Sequence, residues 1–254
     1  MNKNTRFILC VAAVGLMAVI FAPYAQADTV NIPLSDPSFE DNPVASGATS
    51  MNGITTDFDF DFAQNKFWTE AYTVTGDDAA IWNPTSASFH KDASGNLPAP
   101  ASGSQALLIG GDYTNTVALY QYVTLAGGIQ AGSTYTATVA FGSPLGQGSA
   151  GYAIALTDES ADLLAYINPD TSGRIPADTG LFYDKSASFT GDWVAQNYPN
   201  AIGHNLFLAI VGDGGAVLDN VRLSVTDVPE PSTLVLLAAG VLGLLAYARR
   251  KGGK

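Results

Sequence analysis

Apolar and polar positions alternate along most of the chain. The clearest run is 134–141, where Tyr, Ala, Val and Phe share one face and threonines fill most of the other. A period of two is typical of a strand with one buried face, and helical periodicity is nowhere convincing between residues 28 and 228. The pattern predicts ten strands: Thr29–Ile32, Phe67–Thr75, Gln105–Ile109, Val117–Leu125, Thr134–Phe141, Tyr152–Thr157, Leu163–Ile167, Ser186–Thr190, Leu206–Val211 and Ala216–Thr226. We therefore expect two packed sheets in one all-β domain over residues 28–228, with Pro84–Ser104 as a long surface loop.

The first 27 residues have the features of a secretory signal peptide. Lys3 and Arg6 precede an apolar stretch, 7–21, and Ala25-Gln26-Ala27 supplies the small residues that a signal peptidase recognises. The alternative is an N-terminal anchor helix, but 15 apolar residues are short for a hydrocarbon core of about 30 Å. We expect cleavage after Ala27, which also removes the single cysteine.

A second apolar segment lies at the C-terminus. Residues 232–248 carry no charge, and Arg249, Arg250, Lys251 and Lys254 follow them. A helix of this length spans about 26 Å, enough to cross a bilayer, and the basic cluster should stay on the cytoplasmic side. The sequence therefore predicts a single transmembrane helix with the domain outside the membrane.

Pro229-Glu230-Pro231 stands directly before this helix, and the prolines make the segment a stiff, exposed spacer. The triplet, apolar helix and basic end over 229–254 resemble the PEP-CTERM protein-sorting signal of Gram-negative bacteria. The resemblance implies processing near the triplet by an exosortase-type membrane protease. It also implies a transient stay in the inner membrane, followed by release to the cell surface or extracellular matrix.

The charge of the domain limits its partners. Residues 28–228 contain 22 Asp and Glu but only five Lys and Arg, a formal charge of −17. Nucleic acid is excluded as a partner, because phosphate binding needs a basic face. Cations are natural counter-charges, although solubility outside the cell accounts for most of the acidity.

Five short motifs resemble the galactose-binding-like jelly roll of carbohydrate-binding modules. They are Asp36-Pro37-Ser38-Phe39-Glu40, Gly103-Ser104-Gln105-Ala106-Leu107, Leu119-Tyr120-Gln121-Tyr122-Val123, Ala131-Gly132-Ser133-Thr134-Tyr135 and Leu218-Asp219-Asn220-Val221-Arg222-Leu223. The resemblance implies a β-sandwich jelly roll and a structural calcium ion held by Glu40 and Asp219. Calcium needs six to eight oxygens, so other ligands would have to complete such a site. Ordinary turn hydrogen bonds of the two carboxylates are the alternative.

Aromatic residues near loops are the candidates for sugar contact. Trp82 precedes Asn83-Pro84 and Trp193 follows Gly191-Asp192, whereas Trp68 lies in an apolar run and is expected in the core. Core packing is the alternative for both candidates. The alternating segment Asp57–Phe62 lacks the spacing of an EF-hand and is interpreted as a solvated edge strand.

Catalysis has little support in the sequence. The two histidines, His90 and His204, have no metal-ligand spacing, and no nucleophile-elbow motif occurs. We expect a non-catalytic exported protein that binds exopolysaccharide. A structural or adhesive surface protein without a sugar ligand is the alternative, and a glycoside hydrolase with a carboxylate pair is the third.

Overall fold

The structure, a computed structural model, describes residues 28–41, 43–50, 68–72, 79–109, 116–167, 174–213 and 215–227. The described residues form twelve strands, one α-helix and one 3-10 helix. The strands are β1 (Thr29–Ile32), β2 (Thr49–Ser50), β3 (Thr69–Tyr72), β4 (Ala79–Trp82), β5 (Ala106–Ile109), β6 (Thr116–Val123), β7 (Ser133–Ser143), β8 (Tyr152–Asp158), β9 (Leu163–Ile167), β10 (Leu181–Thr190), β11 (Leu206–Asp213) and β12 (Ala216–Asp227). Helix α1 is Gly191–Asn197, and the 3-10 helix is Pro199–Ala201.

These strands form two sheets, as the alternating pattern predicts. The order of the larger sheet is β10-β7-β12-β5-β4-β2, and the order of the smaller one is β3-β6-β11-β8-β9. Strand β12 changes partner along its length, because residues 216–218 pair with β5 and residues 223–226 pair with β1. The change falls at Asp219 and Asn220, where Asn220 has a φ of 44°.

The main core contains the inward-facing residues of both sheets. In β7, Tyr135, Ala137 and Val139 are buried, while the threonines between them are half-buried. Tyr135 stacks on Phe189 of β10 with ring centroids 5.0 Å apart. Each large apolar side chain buried in this way stabilises the fold by about 1.5–3 kcal/mol. Trp68 is 2% exposed, which confirms that it belongs to the core.

A second apolar cluster lies beneath the loop between β4 and β5. Phe89 and Leu97 of this loop are buried against Phe182 and Val217 of the larger sheet. The rings of Phe89 and Phe182 stack with centroids 4.8 Å apart. The prediction of a loop over 84–104 is confirmed, but the loop also buries apolar side chains and covers part of the sheet. Phe89 and Leu97 stand alone among polar residues, so no periodicity indicated this role.

Several elements differ from the prediction. Strands β2 and β4 were not expected, and β10 begins five residues before the predicted start. Helix α1 has only seven residues, too few to give a periodic pattern, and its N-cap Thr190 accepts a hydrogen bond from Trp193 N at 3.3 Å. Within the described ranges no helix is long and apolar enough to span a membrane. The predicted signal peptide, the segment Asp57–Phe62 and the tail 229–254 lie outside the described residues.

Candidate functional site

Glu40 and Asp219, which lie far apart in the sequence, hold the same loop. Glu40 Oε1 accepts hydrogen bonds from Ser104 N and Gln105 N, both at 2.7 Å. Asp219 Oδ2 accepts from Ser102 N at 2.6 Å. The structure therefore brings the two predicted metal ligands to the same loop. Each carboxylate accepts hydrogen bonds from backbone N–H groups, which are the contacts that the alternative interpretation expects.

Local backbone geometry makes this arrangement possible. Asp219 lies where β12 leaves β5, and its Oδ1 accepts from Asn220 N at 2.6 Å. The Asn220 side chain in turn donates to Pro100 O at 2.6 Å. Gly103 has a φ of +69°, and a Cβ atom at this position would overlap Glu40 Oε1. Glycine is required here for both its conformation and its size.

We define Asp36, Glu40 and Asp219 as the carboxylate cluster, and burial raises the pKa of Asp36 and of Asp219. Asp219 is fully buried, and burial raises its pKa to about 8, with further contributions from the charges of Glu40 and Asp36. Burial also raises the pKa of Asp36. No Lys or Arg of the described residues forms an ion pair with Asp219.

Lys91 supplies a positive charge beside Glu40. Its Nζ donates to Asn83 Oδ1 at 3.0 Å, Pro84 O at 2.8 Å and Ser104 O at 3.0 Å. Burial lowers the pKa of Lys91, while the nearby Glu40 charge opposes this change. The Lys91 ammonium group and the Glu40 carboxylate thus both hydrogen-bond to the backbone of the loop between β4 and β5.

The carboxylates of Glu40 and Asp219 suit calcium because they can supply negatively charged oxygen ligands. A buried carboxylate with raised pKa is stabilised in its ionised form by a bound cation, and hard oxygen donors suit calcium. However, the described residues contain no group of three His, Cys, Asp or Glu arranged to hold a metal. Backbone carbonyls would have to supply most of the oxygens, so calcium binding by Glu40 and Asp219 stays a prediction.

The two tryptophans singled out in the sequence are not brought together. Trp82 lies in β4, half-buried, with its ring 6.0 Å from that of Phe89. Trp193 lies in α1, directly after β10, is 41% exposed and contacts Tyr198. Strands β4 and β10 are four positions apart in the larger sheet, a distance of about 19 Å at about 4.8 Å per strand. The two residues therefore do not form one platform.

A third aromatic surface, which sequence reasoning missed, lies on the outer face of the smaller sheet. Strand register aligns Tyr120 of β6, Ala209 of β11, Ala155 of β8 and Tyr166 of β9 in one row. The inward neighbours of these residues belong to the main core, so the row faces outward. We name this row the tyrosine groove. Its two tyrosines are three strands apart, about 14 Å at about 4.8 Å per strand. Of the two alanines between them, Ala155 is half-buried and Ala209 is only 3% exposed, so the row is most exposed at its Tyr166 end.

The two antiparallel sheets define the class of the protein as a β-sandwich of the jelly-roll type. Residues 30–224 match a family model named HpiC1-like and described as HpiC1 cyclase, and the chain belongs to this family. Residues 227–251 match the PEP-CTERM protein-sorting motif. The predicted sorting signal, including Pro229, Glu230 and Pro231, is thus confirmed as a motif, and it identifies an exported protein that is processed at the membrane.

Solved structures with similar folds include proteins that act on or bind carbohydrate. A structure of TmCBM61 in complex with β-1,4-galactotriose has 12% identity and a TM-score of 0.44, covering 76% of this chain and 98% of the other. The CBM22-1 xylan-binding domain of Paenibacillus barcinonensis Xyn10C has 10% identity and a TM-score of 0.37, covering 72% and 99%. Tailspike protein 4 of bacteriophage CBA120 has 11% identity and a TM-score of 0.40, covering 63% of this chain but only 19% of its own. No curated protein matches the chain.

Proposed function

We propose that the protein is a non-catalytic component of the cell surface or extracellular matrix of a Gram-negative bacterium that binds polysaccharide through the tyrosine groove. The observation that carries the proposal is the exposed ring of Tyr166 on β9, the edge strand of the smaller sheet, at one end of this row. Tyr166 is 54% exposed, and aromatic side chains with so much exposed surface are uncommon.

A sugar ring can stack on the exposed Tyr166 ring at the β9 end of the groove. Aromatic faces pack against the C–H groups of a sugar ring, and the phenol hydroxyl groups can hydrogen-bond with sugar hydroxyls. A small apolar contact area with polar tips at its border is the usual composition of a site for a polar, uncharged ligand.

The charge of the domain is compatible with this ligand class. A formal charge of −17 repels polyanions but has little effect on a neutral polysaccharide. We include in the proposal a structural calcium ion between Glu40 and Asp219, which would displace the proton of Asp219 and fix the loop at residues 100–105. The sorting tail would bring the protein to an exosortase-type protease before release.

The family description raises a cyclase as a second candidate, and Asp219 is the residue to consider. A carboxyl group with a pKa of about 8 carries its proton at neutral pH, as a general acid must. Its side chain is fully buried, however, and both oxygens accept backbone hydrogen bonds. A substrate has no access to this acid, which supports the non-catalytic proposal.

Retention of the protein in native gels that contain neutral polysaccharides tests the proposal. Tyr166→Ala should abolish retention, because it removes one wall of the groove. The matched control is Leu181→Ala, an exposed apolar residue of the other sheet, which should leave retention unchanged.

Each other outcome identifies an alternative. Loss of retention with Trp82→Ala or Trp193→Ala, but not with Tyr166→Ala, would assign binding to the tryptophans instead. No retention of the unmodified protein in any polysaccharide would favour a structural or adhesive protein without a sugar ligand. Breakdown of the polysaccharide in the gel would favour a glycoside hydrolase.

A further inference from the structure

The end of the last strand is paired with the first strand of the domain. β1 pairs antiparallel with residues 223–226 of β12. The N–H of Asp227 also donates to Asp28 O at 3.2 Å, which extends the pairing by one residue. We name the pairing of residues 28–32 with residues 223–227 the terminal ladder. It ends where the sorting motif begins, since that motif matches residues 227–251.

The terminal ladder leaves little free chain before the triplet of the sorting motif. Only Val228 separates it from Pro229-Glu230-Pro231. Proteins that bind an extended peptide do so over several residues and use the backbone N–H and C=O groups of that peptide, and a protease binds its substrate in this way. Cleavage near the triplet therefore requires access to the last residues of β12. In the terminal ladder the backbone groups of these residues are already paired with β1.

β1 covers one edge of β12, and the other edge belongs to the body of the larger sheet. The order of this sheet places β7 on one side of β12, and at its end β1 lies on the other. Among the described residues, β12 is the strand with which β1 pairs. Separation of β1 would therefore expose backbone N–H and C=O groups along one edge of β12, while β7 keeps that strand in place. Such an edge is a site to which another chain can add.

The side chains of β1 contribute little to its attachment. Three of its four residues are exposed, and Val30 is 52% exposed. Ile32 packs against the main core. Thr29 Oγ1 and Thr226 Oγ1 form a hydrogen bond of 2.8 Å at the surface. β1 is therefore held mainly by backbone hydrogen bonds, whereas the inner strands are also held by buried apolar side chains.

The outer end of the terminal ladder is its weakest point. Asp28 and Asp227 lie opposite each other, both exposed, and like charges opposite each other on paired strands are unfavourable. With the predicted cleavage after Ala27, β1 begins at the second residue of the exported chain. It can then separate from β12 without moving another element, so opening of the terminal ladder costs less than unfolding of the domain.

We propose that β1 covers the edge of β12 that the processing protease binds, so that the sorting tail is cleaved in molecules whose terminal ladder has opened. The partner is the exosortase-type protease, and residues 223–227 are the part of the folded domain that it contacts. The inference rests on the tail processing in the proposed function and is independent of sugar binding. Opening changes only hydrogen bonds, and the protease itself breaks the peptide bond. When opening and closing are faster than cleavage, the cleavage rate follows the open fraction.

A disulfide across the terminal ladder tests the proposal. The bond from Asp227 N to Asp28 O makes residues 28 and 227 a hydrogen-bonded pair, so Thr29 and Thr226 form the next, non-hydrogen-bonded pair. Their Cα atoms are then about 4.5 Å apart, which suits a disulfide. Predicted removal of the signal peptide leaves no other cysteine in the chain.

The full chain with Thr29→Cys and Thr226→Cys is expressed in a bacterium that has an exosortase. A pulse of label, followed by mass analysis of the protein at successive times, gives the rate of tail cleavage. We expect the disulfide to slow cleavage at least tenfold relative to either single-cysteine variant, because the closed terminal ladder cannot open.

A pair of proline variants tests the opposite change. By the alternation of the ladder, the N–H of Val30 faces β12, whereas the N–H of Asn31 faces away from it. Both residues are exposed, and proline removes the N–H at either position. Val30→Pro should accelerate cleavage by about two- to tenfold, the effect of one lost hydrogen bond. Asn31→Pro is the matched control and should be cleaved at nearly the unmodified rate. Hydrogen exchange at the Asp227 amide reports opening without the protease.

Three outcomes would overturn the inference. The first is a disulfide-linked protein that is cleaved as fast as the single-cysteine variants. The second is equal cleavage of Val30→Pro and Asn31→Pro although the Asp227 amide exchanges faster in Val30→Pro. The third is an unmodified protein that keeps its tail, which would also overturn tail processing. Sugar binding is measured separately, by retention in polysaccharide gels, so its failure would leave the inference about β1 in place.

Discussion

Replacing Asp219 with asparagine should change how the stability of the protein depends on pH. In the folded protein the pKa of Asp219 is raised to about 8 by burial, against 3.8 for an ordinary Asp. Between these two values the folded state binds more protons than the unfolded state, so stability falls as pH rises. At about 1.36 kcal/mol per pKa unit, Asp219 alone lowers the free energy of unfolding by about 4 kcal/mol between pH 5 and pH 8.

The asparagine side chain of the Asp219→Asn variant stays neutral throughout this range. It also places an amide donor against one of the two backbone N–H groups, of Ser102 and Asn220, from which Asp219 accepts hydrogen bonds. We expect the variant to lose about 1–3 kcal/mol at pH 5 and to approach or exceed the stability of the unmodified protein at pH 8. Urea unfolding at a series of pH values measures the difference in the free energy of unfolding between the two proteins. Contributions from the other titrating groups are the same in both proteins and cancel in this difference.

The same unfolding measurement, repeated with added calcium, tests whether Asp219 is a calcium ligand. A calcium ion bound by Asp219 and Glu40 favours the ionised carboxylate, so added calcium should stabilise the unmodified protein more at pH 8 than at pH 5. It should have little effect on the Asp219→Asn variant. Parallel pH profiles of the two proteins would refute the reasoning on Asp219. A calcium effect that is equal in both proteins would refute Asp219 as a ligand.

Two further predictions follow from the loop at residues 100–105 and from the tail. Gly103→Ala should destabilise the protein by about 2 kcal/mol or more, because its φ is positive and the new methyl group overlaps Glu40. Gly132→Ala, at a positive φ with open space around it, should cost about 1 kcal/mol in the same thermal unfolding measurement, and equal costs would contradict the overlap. The intact mass of protein recovered from the medium should correspond to a chain from Asp28 to near Pro229–Ser232, whereas retention of the basic end would indicate a permanent membrane protein.

The sheets could be predicted because alternation is a local property. The two strands that were missed are short: β2 has two residues, and β4 begins with two alanines that give no clear alternation. The cluster of Glu40 and Asp219 was located only through a family resemblance. The change of partner along β12, which brings them together, depends on long-range pairing that no local pattern encodes.

The tyrosine groove depends even more on pairing between distant strands. Tyr120 and Tyr166 lie 46 positions apart, and the alanines between them in space are unremarkable in the sequence.

A glycan array probed with the unmodified protein and with Tyr166→Ala tests the central claim most directly. We predict selective binding to neutral glycans, and loss of that binding in the variant. The absence of binding to every glycan, or binding that Tyr166→Ala leaves intact, would contradict it.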